Sequence, residues 1–178
     1  MAKPSAHTGN VAGVSPGPSK RSGPARQRAV APHVSSGPKA DDAYDIQYFR
    51  RHKDDDPSQA VPGQDFLASV PTPVRANFRA VVMAVAKAPP HKFSGGGKWE
   101  AMSGDMKGIY EVRVDGPPNR THYRLFCVLD TPTRDSRPML VIIDGDSKKF
   151  RTEMPPKVYK RVRERRDEYL KRPKRSLA

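Results

Sequence analysis

Between residues 109 and 143 the chain carries three apolar runs in succession, each of strand length and each parted from the next by polar turn residues. That succession limits the available folds more than any other feature. The run 109–114 alternates strictly, with Tyr110, Val112 and Val114 on one side and Ile109, Glu111 and Arg113 on the other. Asp115, Gly116, Pro117, Pro118 and Asn119 then form a turn. The runs 122–129 and 139–143 are apolar at most positions, as strands covered on both faces are. A basic, proline-containing loop, 131–138, separates them. Three such strands in meander order require a layer on each face of the sheet, and the flanking sequence must supply both.

It does so with helical periodicity. Val74, Phe78, Val81, Val82 and Val85 form one apolar stripe, opened by Thr72 as N-cap and Pro73 at the first helical position, and stopped by Pro89 and Pro90. A shorter helix at 65–70 precedes it and completes a helical hairpin. Upstream, Tyr44, Ile46 and Tyr48 alternate with polar residues, which predicts a first strand at 44–51. Residues 52–63, with Asp54, Asp55 and Asp56, read as a solvated acidic loop. Residues 91–108 are glycine-rich. No Gly-Lys-Ser/Thr follows Gly95, Gly96 and Gly97, so this segment reads as a flexible connection and not as a phosphate loop. A last helix starts after Pro155 and Pro156 and runs to about Lys171, with Val158, Val162 and Tyr169 on a narrow stripe. Lys157, Lys160, Arg161, Arg163, Arg165 and Arg166 cover the rest, as either a solvated surface helix or a basic helix lying along a phosphate backbone.

Residues 1–43 hold proline, glycine and serine with almost no large apolar side chain, and such a segment cannot offset its ordering entropy by burial. They are expected to be a disordered basic tail: a linker, or an electrostatic arm through Lys20, Arg21, Arg26 and Arg28, without an aromatic residue to stack on bases. The expected division is tail 1–43, an α+β domain at 44–171 and a flexible basic end at 172–178. A net charge of +14 points to a polyanionic partner, nucleic acid first. With no apolar run of about 18 residues and no secretory signal, no membrane partner is expected and the chain is placed in the cytoplasm. Cys127 lies in an apolar run and reads as a core residue. His7, His33, His52, His91 and His122 show no ligand spacing, so no metal and no cofactor is expected.

The chemistry-bearing residues fall on the meander. Arg113, Arg124 and the pair Lys148 and Lys149 lie on or just after successive strands, close enough to converge on one phosphate. Glu111 and His122 each precede an arginine by two residues on the same strand face. They are either exposed strand residues or the proton carriers of metal-independent RNA cleavage, in which one group deprotonates the 2′-hydroxyl and another protonates the leaving oxygen. Arg151, Lys157, Lys160 and Arg161 extend the basic surface toward RNA. A DNA-binding regulator has less support, because no helix-turn-helix or dimerisation heptad is visible.

Several local words stand in a definite order: Asp65-Phe66-Leu67-Ala68-Ser69-Val70-Pro71 before the long helix, Lys107-Gly108-Ile109-Tyr110-Glu111-Val112-Arg113, Tyr123-Arg124-Leu125-Phe126, and Gly145-Asp146-Ser147-Lys148-Lys149. From about Tyr44 to Leu170 this order resembles the RelE/HigB toxins of bacterial type II toxin–antitoxin systems, in particular the phage-related HigB-like branch. The resemblance implies a twisted antiparallel sheet flanked by an N-terminal helical hairpin and a C-terminal basic helix. It also implies an endoribonuclease cutting mRNA on the ribosome, and a cognate antitoxin protein. Arg113, Arg124, Lys148 and Lys149 match the basic positions of the family strands. The chain departs from the branch at Asp144 and Asp146, where members carry a histidine and an aromatic, and two carboxylates weaken a positive field. A non-catalytic RNA- or ribosome-binding protein on the same fold is the alternative.

Overall fold

A computed structural model describes residues 43–88 and 97–178. The tail through Asp42, the stop at Pro89 and Pro90, His91 and the glycines Gly95 and Gly96 lie outside the described residues. The fold is mixed α/β: strand β1 (Asp45–Tyr48), helices α1 (Pro62–Ser69) and α2 (Thr72–Lys87), strands β2 (Trp99–Ala101), β3 (Ile109–Gly116), β4 (Thr121–Asp130) and β5 (Met139–Lys148), and helix α3 (Pro156–Lys171). A single 3-10 turn, Gly104–Met106, joins β2 to β3.

The five strands form one sheet in the order β1-β5-β4-β3-β2. The meander β3-β4-β5 is antiparallel, as short turns dictate. The expectation of a wholly antiparallel sheet is corrected at its edge, where β1 runs parallel to β5, Asp45 facing Met139 and Tyr48 facing Ile142. No hairpin links these two strands, so the constraint that sets the direction of the meander does not act on β1. The segment around Trp99, read as loose connection, instead forms the opposite edge strand, with Trp99 buried against the core and stacked on Tyr110 at 5.0 Å between ring centroids.

Alternation divides the sheet residues between two cores. Val112, Val114, Tyr123, Leu125, Cys127, Leu140 and Ile142 meet Leu67 of α1 and Val74, Phe78, Val82 and Val85 of α2. Ile109, Phe126, Val128, Val141 and Ile143 meet Val158, Val162 and Tyr169 of α3. The narrow stripe of α3 is what this second core needs, and each of its three residues is fully buried, worth about 2 kcal/mol apiece. Burial pushes the Cys127 thiol far up, which keeps it protonated and unreactive within the first core.

Three local expectations are revised. The Thr72 hydroxyl makes no capping hydrogen bond, because the helix begins at Thr72 itself and Pro71 takes the N-cap position. Residues 172–178, expected to be a loose end, are tied back. Arg172 pairs with Asp55 at 2.6 Å, Arg175 with Asp130 at 2.8 Å, and Leu177 bridges to Phe49 in antiparallel fashion. The acidic loop is likewise engaged, since Asp56 accepts from Ser58 and pairs with Arg51 at 3.3 Å.

Candidate nucleic-acid site

β5 continues past its apolar stretch through Asp144, Gly145, Asp146, Ser147 and Lys148, paired with β4 throughout. Polar residues had suggested that the strand ended at Ile143. A register shift at Phe126/Cys127 makes the continuation possible: Cys127 faces Ile142 and Phe126 faces Asp144, so Ile143 is the extra residue of a bulge. The bulge turns Asp144, Asp146 and Lys148 toward the α3 face, where an unbroken alternation would have placed their neighbours.

Register then aligns three rows of residues on that face. Glu111 faces Phe126, which faces Asp144; Arg113 faces Arg124, which faces Asp146; Asp115 faces His122, which faces Lys148. Of the four cations expected to converge, Arg113, Arg124 and Lys148 lie in neighbouring rows of this face, with Glu111 and His122 in the rows on either side of the arginines. Lys149 is exposed just beyond the strand end.

The carboxylates in these rows already meet the cations. Glu111 is buried and joins both arginines, in a close pair with Arg113 and at 3.5 Å from Nε of Arg124. Arg113 also reaches Glu100 on β2 at 2.6 Å, and so lies between two carboxylates that face each other across the β2–β3 ladder. Without that guanidinium the facing glutamates would repel. His122 shares its Nδ1 with Asp115 at 2.6 Å, which orients the ring. Lys148 donates from Nζ to the Thr152 carbonyl at 2.6 Å.

Arg161, expected to face RNA, is instead committed to the protein: it donates to Asp144 at 2.9 Å and to Asp146 at 2.8 Å. Burial opposes its charge, but the hydrogen bonds to Asp146 and Asp144 win and hold its pKa above the ordinary value. Arg165 closes on Asp144 as well, and there burial dominates and lowers the pKa. The two aspartates thus fasten α3 to the sheet. Lys157 and Lys160 are exposed on α3, Lys160 only loosely paired with Glu164 at 3.8 Å, and Arg151 is exposed in the turn before it.

Tyr159 was not singled out in the sequence, because it lies beside the buried stripe and not on it. Its ring meets Phe126 edge-on at 6.4 Å, and burial first, then the Glu111 charge, raise its phenol pKa against the opposing Arg124 and Arg113. A protonated phenol is thereby held beside the arginine row. Asp115 and Glu100 were equally illegible, since nothing local marks a turn or edge carboxylate as a partner for a distant cation. A cleft of about 430 Å³ lies where β3 runs past the end of β2, lined by Lys98, Arg113, Asp115, His122 and Arg124 and, from the other face of the sheet, by Val114 with Asn77 and Val81 of α2. Among the described residues no cluster of three histidine, cysteine or acidic side chains is arranged to hold a metal ion, and no helix is long and apolar enough to cross a membrane.

No family model, curated protein or solved structure matches this chain. Its function must be argued from the site.

Proposed function

We propose that the chain is a toxin-like, metal-independent endoribonuclease acting on mRNA, with the ribosome as the setting and a cognate antitoxin protein as its regulator. The observation that carries the reading is the pair of adjacent rows, Arg113–Arg124 and Asp115–His122–Lys148, set beside the buried Glu111. A phosphate seated over the two guanidiniums would have charge stabilisation on its equatorial oxygens. Glu111 would take the proton of the 2′-hydroxyl, the 2′-oxygen would attack phosphorus, and His122 would protonate the departing 5′-oxygen through Nε2. The products are a 2′,3′-cyclic phosphate and a free 5′-hydroxyl. The ordered words of the sequence support the same reading, and so does the net charge of +14.

A second reading, RNA or ribosome binding without cleavage, is favoured by one observation: both arginines are already paired with Glu111, and Arg113 also with Glu100. Incubation of the purified chain with mRNA, alone and on programmed ribosomes, decides between the two. Cleavage with cyclic-phosphate ends is expected from the wild type, falling about a hundredfold in His122→Ala and in Glu111→Gln. Binding without cleavage under both conditions overturns the enzyme and leaves the binding protein.

A further inference from the structure

At the end of the sheet nearest His122, two turns come together. The β3–β4 turn is closed by Thr121, which donates from its hydroxyl to the Pro118 carbonyl at 2.6 Å, and it presents Arg120. The turn after β5 is closed by Thr152, donating to the Lys149 carbonyl at 2.8 Å, and by Lys148 on the Thr152 carbonyl. It presents Phe150 and Arg151. Both turns are hydrogen-bonded at their bases, which fixes the backbone from which these side chains project.

Phe150 is 40% exposed, although it is a large apolar residue with nothing in either core to fill. Its surroundings are cationic: the Arg151 guanidinium lies 5.3 Å from the ring centroid, that of Arg120 5.6 Å, and the His122 imidazole 5.3 Å. Both guanidiniums lie over the ring in cation–π contact and leave it part open to water, so a ligand that completes the cover must also give a displaced cation a partner. A nucleotide does both: its base is flat and stacks on any aromatic face, and the phosphates on either side of it need guanidiniums at this distance.

Resting on the reading of the chain as RNA-directed, we propose that Phe150 is the stacking platform for an unpaired base, with Arg120 and Arg151 taking the flanking phosphates, so that the ligand is single-stranded RNA. Stacking demands a base freed from its helix, and duplex RNA offers none. The platform lies beside His122 and therefore sets which nucleotide of the strand enters the site.

The test uses the full chain and a short labelled RNA with 2′-O-methyl riboses, which cannot be cut, in single-stranded and duplex form. Phe150→Ala is expected to weaken single-strand binding about tenfold and to leave duplex binding unchanged, with an unaltered melting temperature. Phe150→Trp is expected to bind like the wild type and to lose fluorescence when RNA stacks on it. The native Trp99 is 4% exposed and provides a steady background. Unchanged single-strand affinity in Phe150→Ala, an equal loss on duplex, or an unquenched tryptophan overturns the platform. Selective loss in a protein that cuts no RNA supports the platform while removing the nuclease. Undiminished cleavage and binding in Phe150→Ala removes the platform and leaves the nuclease.

Discussion

Asp144 is 2% exposed and accepts from the Gly145 backbone N–H at 2.7 Å while pairing with both Arg161 and Arg165. A buried carboxylate of this kind is a stability element first, because its removal leaves two guanidiniums in a partly dehydrated place. Asp144→Ala should lower the unfolding free energy by about 2 kcal/mol, less than for a sealed pair because both arginines retain some access to water. A urea titration should show the midpoint reduced and the slope unchanged. The same substitution should leave Arg161 on Asp146 and release Arg165, and a gain in RNA affinity alongside a loss in stability would separate the two effects of Asp144. Sequence alone could mark Asp144 and Asp146 only as standing where the HigB-like branch, which the order of words resembles, carries a histidine and an aromatic. It could not show that a bulge turns them under α3, since the bulge comes from the pairing of β4 with β5 and not from any residue in either.

α1 lies directly on β5 because Gly145 has no side chain: the Phe66 ring occupies the space a β-carbon would need. Gly145→Ala should therefore cost about 1–3 kcal/mol by overpacking. The cost should shrink in a Phe66→Ala background, where the methyl group has room, and thermal melts of the four proteins would give the coupling. Elements with a strong period were the legible ones. The stripe Val74, Phe78, Val82 and Val85 is buried as expected, with Val81 at its margin, and Val158, Val162 and Tyr169 are the buried residues of α3. The alternation in β3 correctly separated Val112 from Glu111 and Arg113. What escaped was non-local. β2 is three residues long and lies in a glycine-rich stretch, so no period marks it. The direction of β1 depends on a partner far along the chain. Of the site, Arg113, Arg124, Glu111 and His122 were readable as strand residues near one another and Lys148 only as a residue beyond the last strand, whereas Glu100, Asp115 and the pairing of Asp144 and Asp146 were not readable.

Across the whole molecule the charge of +14 is unevenly used. Arg51, Arg113, Arg161, Arg165, Arg172 and Arg175 are paired with carboxylates. Exposed Arg120, Lys149, Arg151, Lys157 and Lys160 face outward at the turns beside His122 and along α3. If about five phosphates are contacted, affinity for single-stranded RNA should fall on the order of a hundredfold between about 50 and 200 mM salt. Anisotropy titrations across that range give the slope. A flat response would mean that the outward cations take no part in binding. Charge of one sign also keeps copies of a protein apart in solution, but at short range the backbone matters more. The N–H of Arg50 donates to Ser176 and that of Ala178 to Tyr48, so residues 176–178 lie along the open side of the chain where β1 ends. A bare strand rim is a template on which a second chain can grow a sheet, and aggregation starts from such rims. Here residues 176–178 occupy the last part of that rim, so their removal would lengthen the exposed template.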